Sequence, residues 1–153
     1  MKKAILLLAI GFTAITANAQ KMKEADVPAE VKTAFNKQFP GAKVEKWEKE
    51  DGNYEATFVM NKVEMSALMG TTGNIMETEA EIAVSALPKA VAEYCTKNCS
   101  GKKIKEASKI TDAAGKIMYE AEVDDSDYVF DANGTFIKKV TEPKDEKDDD
   151  EKK

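Results

Sequence analysis

The chain has 153 residues, 42% of them hydrophobic, a formal net charge of −5 and no histidine; all 23 of its basic residues are lysine. Without imidazole or guanidinium it has no Ser-His-Asp or Cys-His machinery, no histidine metal ligand and no bidentate clamp for phosphate or carboxylate. The acidic balance argues against nucleic acid and anionic lipid surfaces as partners.

Residues 1–19 read as a signal peptide. Lys2 and Lys3 make a basic start, residues 4–15 are almost wholly apolar, and Ala17-Asn18-Ala19 is a small-x-small cleavage site. The apolar run is short for a transmembrane helix and lacks a stop-transfer flank. A cut after Ala19 would leave 134 residues with a net charge of −7. No cysteine follows it directly, which argues against a lipid anchor. The expected product is exported, periplasmic or secreted, with no membrane attachment after cleavage. Its size suits one compact domain or two half-size units.

Residues 20–26 read as a linker. Asp26 then precedes Pro28, a residue welcome in the first turn of a helix, and Asp26 is placed to accept from the free amides there. Val31, Ala34, Phe35 and Phe39 recur at helical spacing until Pro40-Gly41 stops the helix. The period then changes to two. Residues 44–50, 54–60, 63–69 and 74–82 read as four antiparallel strands, separated by turns at 51–53, 61–62 and 70–73.

The same text then returns. Val27-Pro28, Val31, Phe35, Phe39, Gly41 and Val44 recur as Leu87-Pro88, Val91, Cys95, Cys99, Gly101 and Ile104, each sixty residues on. Ser85 stands before the second helix as Asp26 stands near the first. Tyr54-Glu55-Ala56 returns as Tyr119-Glu120-Ala121, and Gly73-Asn74-Ile75 as Gly134-Thr135-Phe136. The second copy has a longer turn at 111–116 and a shorter middle hairpin, where residues 124–127 replace part of a strand pair. A repeat of this period is one supersecondary unit used twice. The expected fold is α+β: two tandem repeats, 27–82 and 83–140, each one helix packed on an antiparallel β-meander. Residues 141–153, without an apolar residue able to join a core, read as an acidic disordered tail.

Tyr54, Ala56, Phe58, Met65 and Met69 should meet the first helix, and Tyr119, Ala121, Val123, Tyr128 and Phe130 the second. One helix per unit leaves the other sheet face uncovered, with Glu55, Thr57, Val59, Glu64, Ser66, Leu68, Glu120 and Glu122 on it. This open face is the expected binding surface. Trp47, the sole tryptophan, either packs at a sheet edge or stands exposed as a partner anchor. Cys95 and Cys99 share one helix face with α-carbons about 6 Å apart, which allows buried free thiols, a local disulfide or a redox pair. The pairs Glu45/Glu48 and Glu77/Glu79 and the run Asp124, Asp125, Asp127 read as solvated strand edges and turns, not as catalytic carboxylates. Asp131-Ala132-Asn133-Gly134 echoes part of a calcium loop but lacks its remaining ligands, and reads as a hairpin turn. No catalytic residue, metal site or cofactor is expected.

The run Val-Pro-x-x-Val…Phe-Pro-Gly-Ala-Lys-Val-x-Lys-Trp-Glu…Gly-Asn-Tyr-Glu-Ala, followed by Glu-Ile-x-Val-Ser-Ala-Leu-Pro and Phe-Asp-Ala-Asn-Gly, resembles the PepSY-like family of small exported Bacteroidetes proteins. That family is described as similar to β-lactamase inhibitory protein. The resemblance spans about residues 27–140. It implies tandem helix-plus-sheet units whose open sheet face contacts a protein partner, and it transfers no contact residue. Cysteines at 95 and 99 depart from the aromatic or aliphatic residues usual at those places. The expected function is a non-enzymatic exported module that binds a protein or peptide, with inhibition as one form of it. The alternative is a periplasmic carrier of a small ligand or divalent cation.

Overall fold

The computed structural model describes residues 20–141. The expected signal peptide and the tail from residue 142 lie outside them. The chain runs β1 (Gln20–Met22), α1 (Ala29–Gln38), β2 (Lys43–Glu50), β3 (Asn53–Met60), β4 (Val63–Met69), β5 (Ile75–Glu81), α2 (Lys89–Asn98), β6 (Glu106–Asp112), β7 (Ile117–Glu122), β8 (Ser126–Asp131) and β9 (Phe136–Thr141). The nine strands of the described residues form one antiparallel sheet in sequence order. The junction between the halves is an ordinary strand pair, β5 with β6, in which Glu79 lies opposite Ile110.

Two separate cores lie on one face of this sheet. Val31, Phe35 and Phe39 pack with Trp47, Tyr54, Ala56, Phe58 and Met69. Val91, Cys95 and Cys99 pack with Ala107, Ala121, Val123 and Phe130. The period-two pattern of each strand and the 3.6 pattern of each helix therefore meet as expected. The middle hairpin of the second half is the shorter one, with five residue pairs between β7 and β8 against seven between β3 and β4.

Three local expectations are corrected. Residues 20–26 are more than a linker: Gln20–Met22 pair with β2 and place Met22 opposite Trp47, a strand too short to show a period. Asp26 and Ser85 do not cap the helices. Each lies in a short 3-10 turn ahead of Pro28 or Pro88, and neither helix start has a side-chain cap. Ser126 and Asp127, expected in a turn, begin β8 and are buried.

The 131–134 segment is a hairpin turn. Asp131 Oδ1 accepts from the backbone N–H of Asn133 and of Thr135, both within the turn. Its glycine is also a packing residue. A Cβ on Gly134 would stand 2.8 Å from Ala90 Cβ, and one on Gly73 2.5 Å from Ala34 Cβ, with φ near +80° at both. The last hairpin of each half thus presses backbone against its helix, which only glycine permits.

Candidate functional site

The second sheet face carries, in paired register, Glu48 opposite Glu55, Leu68 opposite Glu77, Glu77 opposite Asp112, Ser108 opposite Glu120, and Val129 opposite Lys138. Among the described residues, no helix residue joins the apolar cluster on it, Ile110, Met118 and Val129. The face is nonetheless not open in the sense expected. Glu55 is 2% exposed, Ser66 0% and Glu79 1%, and Thr57, Leu68 and Glu120 are buried too. Val59, Glu64 and Glu122 are half-buried toward its margin.

Curvature brings distant strands together here. On a flat sheet β5 and β9, four strands apart, would lie roughly 19 Å from each other. Yet the Lys138 ammonium on β9 acts on Glu77 of β5, and Asp127 of β8 acts on Glu79. Matching register shifts at Leu68/Met69 and Val129/Phe130 supply local bending, as β-bulges do. The face is therefore concave.

Burial dominates its electrostatics. Desolvation pushes the Glu55 carboxyl up to about 8, helped by repulsion from Glu50 and Glu48 and opposed by Lys46 and the Ser66 hydroxyl. Desolvation likewise pushes Glu79 up to about 8; the nearby Ser108 hydroxyl relieves part of this, and Glu55, Glu77 and Asp127 add to it. Glu77 rises to about 7 through burial, against the pull of Lys138. Glu50 is also raised, first by burial and then by Asp51 and Glu48. Lys138 is lowered by its own burial, while Glu77 and Glu120 pull the other way. At neutral pH the deepest of these carboxyls keep their protons.

Glu48, Glu77 and Glu79 are a correction, since their charge suggested solvated strand edges and all three are buried. Sequence reasoning also missed Glu50, Lys138 and the apolar trio as members of this face. The register shift at Leu68/Met69 leaves Ile75 on the helix side and turns Glu77 and Glu79, of the same parity, to the side away from the helices, so alternation along the strand gave no sure signal of their face. Hydrophilicity misled because depth on a curved sheet is not a local property.

Trp47 is not an exposed anchor. It is 4% exposed and meets the Phe35 ring edge-on at 5.5 Å, because residue 47 has the parity of the helix-facing side. Beside it lies a recess of about 410 Å³ with Met22, Val44 and Trp47 in its lining. Cys95 and Cys99 are both buried, with free thiols. Burial and the neighbouring Cys99 push the Cys95 thiol up to about 12, opposite in direction to a redox-active cysteine. Among the described residues, no three Cys, Asp or Glu side chains are arranged to hold a metal ion, and no helix is long and apolar enough to cross a membrane.

Comparison with known proteins gives a consistent picture. The family described as "Putative beta-lactamase-inhibitor-like, PepSY-like" matches residues 13–72 and again 69–138. No curated protein matches. Among solved structures, a Bacteroides eggerthii protein described as "putative periplasmic" is similar at 17% identity and TM-score 0.66, over 75% of this chain and 88% of that one. A DUF2874 family protein from Bacteroides uniformis is similar at 20% identity and TM-score 0.65, over 74% and 88%. A BLIP-like protein from Bacteroides fragilis is similar at 20% identity and TM-score 0.59, over 77% and 89%. At these identities the likeness shows the fold.

Proposed function

This chain belongs to the PepSY-like family, and on that premise we propose that it is a non-enzymatic exported module that binds a protein or peptide through the concave second face of its sheet. One observation carries the reading: a face without a helix over it holds buried carboxylates, Glu55, Glu77 and Glu79, whose pKa values burial raises well above the ordinary range. Ionisable groups with strongly shifted pKa values cluster at functional sites. The absence of histidine and the high Cys95 pKa support a binding role over catalysis. Residues 1–19 would direct export and be cut after Ala19. Inhibition of an enzyme is one form such binding would take, in keeping with the BLIP-like relative.

The test is affinity capture from the native envelope, with Val59→Lys and Glu122→Lys at the margin of the face as controls. A partner enriched by the native protein and lost with both variants supports the reading. No enrichment at any salt concentration removes it. The carrier alternative has one observation behind it, the recess beside Trp47. A small molecule that raises the melting temperature of the native protein, but not of a Val44→Trp variant, would favour it.

A further inference from the structure

β1 covers only part of β2. It pairs from Gln20 to Met22, against Lys49 to Trp47. The chain then turns away through Glu24–Asp26, while β2 extends back to Lys43. Lys43–Lys46 thus form an overhang of about 13 Å, with no strand of the described residues on its outer side. A strand edge without a partner presents N–H and C=O groups ready to pair. Glu45 sits at the register shift between Val44 and Lys46, a bulge of the kind that re-aims side chains at sheet edges.

The recess of about 410 Å³ lies at this overhang. Unlike the carboxylates of the concave face, most of its lining is open to solvent. Met22 and Val44 are half-buried and present apolar surface, with Trp47 in the core behind them. Lys21, Glu24 and Glu45 are exposed at its rim, and Lys46 is paired with Glu48. Lys21 and the Glu24 carboxylate, on either side of Met22 in the chain, make no ion pair among the described residues. The recess therefore combines a bare strand edge, an apolar wall and an uncommitted charge of each sign.

The second half folds without these features. Its β6 begins at Glu106, although the place of Lys43 is Lys103, and the Ile82 N–H still donates to the Ala107 carbonyl. The places of Lys21, Met22, Glu24 and Trp47 are taken by Glu81, Ile82, Val84 and Ala107. The overhang, the pair of opposite charges and the indole are thus not demands of the repeat itself.

We infer that this recess takes a short free peptide in extended form. The peptide backbone adds to the edge of β2 at Val44–Lys46, one apolar side chain seats on Met22 and Val44, and the terminal carboxylate and ammonium meet Lys21 and Glu24. A bare edge selects an extended backbone, as in recognition by strand addition. The apolar wall selects the side chain, and charges of both signs select a zwitterion over a lone anion or cation. The volume suits a small ligand. The inference names an occupant for the recess behind the carrier reading, and it is independent of the concave face.

The test uses the full-length chain, expressed with its own leader and purified as its cell processes it. The tripeptide alanyl-leucyl-alanine is titrated by calorimetry at pH 7. Trp47, the sole tryptophan, reports by its fluorescence whether binding occurs beside it. The expected result is one site per chain with a change in Trp47 emission. Alanyl-seryl-alanine should bind about tenfold more weakly, having lost the apolar contact. A tripeptide methylated on its backbone nitrogens should also bind about tenfold more weakly, because it cannot donate to the edge. Lys21→Glu, at an exposed position, should weaken binding about threefold. Val44→Trp should abolish it by filling the recess; should that variant fail to fold, Lys21→Glu and the methylated tripeptide still decide. Octanoate binding as tightly as the tripeptide would make this a site for apolar acids in general and overturn the peptide assignment, with the carrier reading intact. Tripeptide binding unchanged by Lys21→Glu and by methylation would place it elsewhere and overturn the inference as well. Absence of any tripeptide binding removes the inference, while an envelope partner lost with Val59→Lys and Glu122→Lys would leave the concave-face reading standing.

Discussion

The two halves fill equivalent cores with different residues in different places. In the first, aromatic mass sits on the helix and the two strands after it: Phe35 lies 5.0 Å from Phe58 and 5.5 Å from Trp47, and Phe39 lies 4.7 Å from Phe58. The second half has Cys95, Cys99, Ala107 and Val123 at those places. Its aromatic rings come from the positions of Ala34, Met69 and Ile75: Tyr94 lies 5.3 Å from Phe130 and stacks on Phe136 at 4.8 Å. What the halves share is filled volume beneath a helix, not a fixed set of side chains. Cysteine at a phenylalanine place is therefore a packing choice, made good by rings arriving from β8 and β9.

Removing an aromatic that the other half does without should have the largest effect. Trp47→Ala leaves a hole although residue 107 is alanine, because no ring from β4 or β5 is placed to fill it. The expected loss is about 3–5 kcal/mol, read from denaturant unfolding; a loss below 1 would mean that the halves fill space interchangeably. Next come the glycines that both halves share. Gly73→Ala combines a left-handed φ with a Cβ 2.5 Å from Ala34, for a cost of about 3 kcal/mol, and Gly134→Ala, at 2.8 Å, should cost somewhat less. Equal and negligible losses would show that the hairpins move away from their helices freely.

The carboxylates make the halves unequal in pH response. Glu55 and Glu79 titrate near 8 and Glu77 near 7 in the folded protein, against 4.5 as the ordinary value. Folded pKa values above the unfolded ones mean that the folded state keeps protons the unfolded state gives up. Stability is thus greatest below about 4.5 as far as these groups decide it, and falls as pH rises to about 8. The melting temperature should decline over that window, and Glu79→Gln should flatten the decline and add about 2 kcal/mol at pH 8. A melting temperature that rises over the same range would contradict the burial of these groups.

Smaller effects refine the comparison. Cys95→Phe restores the first half's residue where Tyr94 and Phe136 already occupy the space, and should cost about 1–2 kcal/mol through overpacking. A gain in stability would reveal unfilled volume in the second core. Lys102→Ala removes the ion pair with Asp124, whose members are both solvent-exposed, and should leave the melting temperature unchanged within error.

Much of this architecture could be read from the residues. The helix stripes at Val31, Phe35 and Phe39 and at Val91, Cys95 and Cys99 point to the side they bury. The alternation in residues 54–60 and 63–69 gives strands, faces and register, because a period of two leaves one side of the chain to the core. The candidate site was legible only in part. Parity puts Glu55, Ser66, Leu68 and Glu120 on the second face, but not their burial. Glu77 and Glu79 looked like solvated edges, and Trp47 remained divided between a packed and an exposed reading.

The sequence by itself determined the repeat, the two helix-and-strand patterns, the sides of β3, β4, β7 and β8 that face a helix and the chemical classes left without residues to perform them. Those follow from covalent periodicity and composition, which are local. Tertiary structure alone decided that β5 and β6 join the halves into one sheet, that this sheet curls, and that its far face takes Glu50, Glu55, Glu77 and Glu79 out of water beside Ile110, Met118 and Val129. Curvature accumulates over nine strands, and burial depends on the path of the whole sheet. The pKa of Glu77 on that face therefore answers first to its burial and then to charges on strands up to four places away.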